Sequence, residues 1–112
     1  MTVVAKCLVE AKYAENSETS QYTAGSGVRT IVDKFTGTNV TAVAALLTIK
    51  IIASGGTASA DETIVYQKSL AAGETYTFPE VVGQVLNAGD FISTLAGTAS
   101  AIVIRLSGRE NS

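Results

Sequence analysis

The chain of 112 residues has no histidine and no tryptophan, and only one cysteine, one proline and one methionine. Each shortage excludes something. Without histidine there is no imidazole base, no Ser–His or Cys–His nucleophile and no histidine metal site. Without tryptophan, and with only three Phe and four Tyr, there is no aromatic platform for a sugar ring. A glycosidase-like carboxylate pair drawn from distant strands, such as Asp33 and Glu74, would have little to hold its substrate. The lone Cys7 cannot close an intramolecular disulfide, which excludes the stapled secreted scaffolds. Its apolar neighbours in VVAKCLVEA read as the setting of a small buried filler.

Charge is also scarce. Charged residues make up 16% of the chain, against about a quarter in ordinary soluble domains. Such a surface must be covered by Ser, Thr, Gly and Ala, or by neighbouring subunits. The net charge is −2 and Lys and Arg are scattered singly, so no electrostatic footprint for nucleic acid exists. No membrane partner is expected either. The longest apolar stretch, residues 42–53, is broken by Thr48 and Lys50 and is too short to span a bilayer. The opening MTVVAKCLVEAK has no basic region before its apolar residues and carries Lys6 and Glu10, so it does not read as a signal peptide.

What is present is β-patterning and turn chemistry. The stretch 69–95, SLAAGETYTFPEVVGQVLNAGDFISTL, holds two turn signals, Ala-Ala-Gly-Glu at 71–74 and Asn-Ala-Gly-Asp at 87–90, on either side of Pro79. Each runs straight into residues suited to a pleated strand. Glu74 and Asp90, each beside a turn glycine, read as carboxylates that accept backbone N–H bonds and cap their turns. Pro79 opens a short helical turn over 79–85.

Elsewhere, residues 3–13 alternate, with Val3, Ala5, Cys7, Val9, Ala11 and Tyr13 on one face. Val4 and Leu8 share the other with Lys6, Glu10 and Lys12. Residues 14–20 are a polar loop, 19–23 a short strand, and Gly25 and Gly27 a tight turn. A β-branched strand follows at 28–38, in which Gly37 marks a bulge or a close backbone approach. Residues 42–53 contain the helix-favouring run Ala44 to Leu47, but the alternation through Ile51 and Ile52 assigns strand. Residues 54–62 are a loop. Residues 63–70 form a strand with Ile64, Tyr66, Lys68 and Leu70 on one face. The last strands cover 91–97 and 99–107, the latter with Ile102, Ile104 and Leu106 inward, and GRENS is a polar exit. Asn39-Val40-Thr41 matches a glycosylation acceptor only formally.

About eight short strands with a turn signal every eight to twelve residues is the spacing of an all-β sandwich or barrel. The expectation is therefore a single antiparallel β-sandwich domain over 1–112, jelly-roll-like, with 1–26 as an N-terminal arm or subunit-contacting strand. No calcium loop or phosphate cradle is present, because Gly25-Ser26-Gly27 lacks the following Lys and leads into a strand. Catalytic, metal and cofactor residues are none.

Two long segments resemble a known group of proteins. VRTIVDKFTGTNVT, then IIASGGTASADETIVYQKSLAAGETYTFPEVVGQVLNAGDFIST, then a last strand ending in SGRE, are similar to small structural proteins of tailed bacteriophages and prophages. The shared order is a Ser-Gly-Gly loop, then Ala-Gly-Glu and Ala-Gly-Asp turns around a Pro-Glu-x-x-Gly connection. The resemblance covers roughly residues 27–110, and the first 26 residues fall outside it. It implies a non-enzymatic virion component assembled in the host cytoplasm, such as a capsid decoration or cement protein or a small head–tail part. The implied partners are further copies in a symmetric oligomer and the major capsid or other virion proteins. The candidate contact residues are Val4 and Leu8, which break a polar face; Tyr13 and Tyr22, which flank the 14–20 loop; and Asp61 and Glu62 in the 54–62 loop. Asp61 and Glu62, with Tyr66, also support the alternative of a receptor- or glycan-binding sandwich from a phage tail or fibre.

Overall fold

The computed structural model describes residues 2–112 and shows two packed antiparallel sheets. The strands are β1 (Val3–Tyr13), β2 (Thr19–Thr23), β3 (Arg29–Asn39), β4 (Ala45–Ile52), β5 (Thr63–Leu70), β6 (Thr75–Tyr76), β7 (Val85–Leu86), β8 (Phe91–Ala96) and β9 (Ile102–Asn111). The first sheet runs β1-β9-β3-β6, with β7 also on β3, and the second β2-β8-β4-β5. β7 pairs with β3 at Thr30 and Ile31, and β6 at Gly37 and Thr38, so these short segments act as one interrupted strand. Nine segments thus fill eight positions, in two sheets of four, in the order of a jelly roll.

The core lies between the sheets. Phe35, Phe78, Leu47, Ile49, Leu70, Leu86, Ile92, Ile102, Ile104 and Leu106 are fully buried. Each stabilises the fold by about 1.5–3 kcal/mol of hydrophobic transfer. Phe78 fills the gap between β6 and β7. Its ring meets Phe35 edge-on at 5.3 Å and Tyr76 at 4.8 Å. It also lies so close to Gly37 that a Cβ there would sit 2.9 Å from the ring, which is the close approach expected of that glycine. Phe78 holds φ at +44° to reach this position, a strained setting for a non-glycine residue.

Several expectations are corrected by bulges. In β1, Cys7 faces Ser107 and Val9 faces Leu106, so Leu8 is an extra residue. A bulge reverses the side-chain alternation beyond it. Val9 therefore points inward while Val3 and Ala5 are exposed, and Cys7 is half-buried rather than a core filler. Leu8 packs against the core, over Gly108, where a Cβ would sit 3.0 Å from its Cδ1. In β5 the residues between Val65 and Lys68 include one more than their partners between Ile49 and Leu47. Gln67 at φ +45° absorbs the excess. Val65 is therefore buried and Tyr66 is 73% exposed, which breaks the expected face of Ile64, Tyr66, Lys68 and Leu70.

Boundaries shift as well. GRENS is not an exit, because Gly108 to Asn111 pair with β1 and with β3. Residues 79–83 form turns and lead into β7, and the helical turn expected there lies instead at Ala60–Glu62. Residues 3–23 are not an arm: β1 completes the first sheet against β9, and β2 edges the second against β8.

Candidate interaction surfaces

The two strands that precede residue 26 form one flank of the sandwich, where an edge of each sheet lies side by side. Polar side chains zip that flank. The Tyr22 hydroxyl crosses from β2 and donates to the Glu110 carboxylate, while the buried Thr30 hydroxyl bonds it at 2.8 Å. Lys6 approaches the same carboxylate at 3.2 Å. Farther along, Lys12 and Gln21 each donate to Glu15 at 2.9 Å. Burial, and then the Glu110 carboxylate, push the Tyr22 phenol up to about 12. The bond from Tyr22, then Lys6, holds Glu110 below its usual range. Lys12, then Gln21, do the same for Glu15.

This geometry sorts the candidate contact residues. Tyr22 is half-buried, packs against the core and has its hydroxyl engaged, so it is a closing bolt and not a free anchor. Leu8 is also packed inward, through the bulge. Val4 and Tyr13 remain open, with 48% and 50% of their surface exposed, and Val3 beside them has 56%. β1 bonds β9 along one side only, so its other side presents main-chain donors and acceptors over a long edge.

On the 54–62 loop, the Ser59 hydroxyl lies within hydrogen-bond reach of both Asp61 and Glu62. Glu62 also accepts the Ala53 N–H at 3.3 Å. Both carboxylates therefore hold their own loop. Tyr66 projects alone. On the same flank, Tyr76 donates to Glu80 at 3.0 Å and receives the Lys68 ammonium over its ring at 4.6 Å. Burial, then Glu80, raise the Tyr76 phenol.

The turn carboxylates behave as their spacing suggests. Glu74 accepts the Ala71 N–H at 2.7 Å, and Asp90 accepts the Asn87 N–H at 2.9 Å and the Ser54 N–H at 3.0 Å. Asn39, formally a glycosylation acceptor, is fully buried and its amide is fully used inside the protein.

A depression of about 580 Å³ lies at the end that holds Gly27, Arg29, Asn87 and Asn111. The Asn111 Oδ1 atom is buried there without a partner. Among the described residues that line it, Arg29 carries the one charged side chain. Among the described residues no three His, Cys, Asp or Glu side chains cluster as metal ligands, and no helix is long and apolar enough to cross a membrane. No protein family, no curated protein and no solved structure matches the chain.

Proposed function

We propose that this is a non-enzymatic virion structural protein, a capsid decoration or cement protein that stabilises a phage head through protein–protein contacts. The observation that carries the reading is β1: a long edge strand that presents Val3, Val4 and Tyr13 to solvent beside unpaired main chain. Edges of this kind accept a partner's strand or surface. The resemblance of residues 27–110 to phage structural proteins supplies the setting, and the low charge supports burial against neighbours. A receptor- or glycan-binding role would rest on Tyr66, because Asp61 and Glu62 are committed to their own loop.

The test is co-sedimentation of the purified protein with phage heads that lack it, alongside a glycan-binding screen. Saturable binding to heads, weakened at least tenfold by Val4→Asp, is expected. A protein that binds a glycan through Tyr66 and ignores heads and tails would replace the proposal with the second reading.

A further inference from the structure

The chain carries no charged residue between Lys34 and Lys50, and none between Asp90 and Arg105. The fold brings both gaps to one end of the sandwich. The 40–44 loop after β3 and the 97–101 loop after β8 meet there, joined by Val40 N–H to Ala101 O at 2.9 Å, and Gly97 N–H reaches Leu46 O at 2.9 Å. The 71–73 turn completes the end, with Gly73 N–H bonded to Asn39 O at 2.9 Å. Its one neighbouring charge, Glu74, is turned back onto Ala71 N. Of the ions on the adjoining strands and loops, Lys12 and Glu15 pair with each other at 2.9 Å and Lys68 sits over the Tyr76 ring.

Beside the exposed Thr98 and Ser100, this end presents a cluster of apolar side chains. Val43 is 67% exposed and Val40 53%, with exposed Ala42, Ala44, Ala71, Ala72 and Ala99 around them. The loop that presents them is already held in place. The Asn39 amide donates to Val43 O at 2.7 Å and to Leu70 O at 3.0 Å, and its oxygen accepts from the Thr41 N–H and hydroxyl. Little conformational freedom is left to lose on binding, which favours association.

We infer that this uncharged end is a self-association surface, which joins two copies end to end about a two-fold axis. The inference deepens the assembly reading and rests on it, by naming the surface and the occupant. A two-fold contact sets a patch against itself, so every charge in it meets its like. On a chain of net charge −2, a patch without charge meets its own copy at no such penalty and desolvates no ion. A charged partner would leave its own ions unpaired against this end, whereas a second copy does not. The molecule measures 46 × 27 × 19 Å, and the narrow cross-section limits the contact to well below the roughly 800 Å² per partner of a standard interface. The association is therefore weak and reversible, suited to reinforcement within a lattice.

Sedimentation velocity of the full chain over a concentration series up to ~1 mM tests it. Reversible dimerisation that is insensitive to salt is expected. Val43→Asp and Val43→Lys should each weaken it at least tenfold while leaving the melting profile near that of the wild type. Mixing the two variants should restore dimers, now sensitive to salt, because opposite charges then face each other across the axis. A chain that stays monomeric throughout overturns the inference. So does a dimer that survives both Val43 variants and is lost with Val4→Asp, which would place the contact on β1. Binding to heads is measured separately, so a monomer that still decorates heads would sink this inference and leave the assembly reading standing.

Discussion

At residue 39 one buried amide ties the 40–44 loop to the end of β5, because its donors reach Val43 O and Leu70 O and its oxygen accepts from Thr41. Removing it leaves the Leu70 carbonyl without its side-chain donor and the Thr41 N–H without its acceptor, while Val43 O keeps the Thr41 hydroxyl. Asn39→Ala is expected to lower unfolding stability by about 2–4 kcal/mol, since each stranded polar group costs about 1–3 kcal/mol. Urea denaturation measures it. Tyr22 gives a pH signature. Its phenol titrates near 10 when unfolded and is raised to about 12 in the fold, so the fold favours the neutral form. That contribution is complete below pH 10 and is lost as pH rises from 10 towards 12. The stability gap between wild type and Tyr22→Phe should therefore shrink over that window, and a gap that stays constant to pH 12 would contradict the assignment. Glu110 works at the opposite limit. Its carboxyl is lowered in the fold, so its contribution is present above the unfolded value and is lost as pH falls through the folded one.

At the scale of elements, the two Ala-Gly-acid turns are copies of one device with different loads. Glu74 caps only its own turn, whereas Asp90 caps its turn and also holds Ser54. Glu74→Ala should cost about 1 kcal/mol and Asp90→Ala about twice that, by the usual worth of such bonds. The double variant should be additive, because the two turns share no partner; thermal melts of the three variants check both points. These turns were legible because their chemistry is local: a glycine for positive φ and an acid three residues after the N–H it caps. Strand positions were legible for a similar reason, since β-branched runs and alternation mark β1, β2, β5 and β8 closely. What could not be read was parity. A bulge adds one residue with no composition of its own, so Leu8 and Gln67 each shift the side-chain alternation locally, between two register shifts in β1 and two in β5. The burial of Leu8, Cys7 and Tyr66 was misassigned in consequence. Tyr22 and Glu110 are far apart in sequence, so their bond leaves no local trace. The uncharged end was visible only as two gaps between charges, and nothing in the linear chain showed that they meet.

For the whole molecule, the decisive pairing is between the first long strand and the last. β9 is central, flanked by β1 and β3, so the sheet cannot close until nearly the whole chain is available. Pairing over such separations is slow, and folding on the millisecond-to-second scale is expected. It also means that β1 is structure and not an appendage. A chain that lacks residues 2–13 would bare β9 together with the surfaces of Leu106 and Ile104, and should be insoluble or unfolded by circular dichroism. A truncated protein that folds normally would show that the strand only decorates the sheet. β1 and β9 also end together. Thr2 and Ser112 exchange both main-chain hydrogen bonds, at 2.8 and 2.9 Å, as neighbours do beside the turn of a hairpin. The jelly roll is in effect a closed loop of chain with a single cut in it. A short linker across that cut would leave the sandwich undisturbed, and the cut itself can be moved, for instance to the 54–62 loop, without changing which strands touch. A chain joined at that point and opened in the 54–62 loop is therefore expected to keep the same strand pairs, and a circular dichroism spectrum unlike that of the wild type would contradict it.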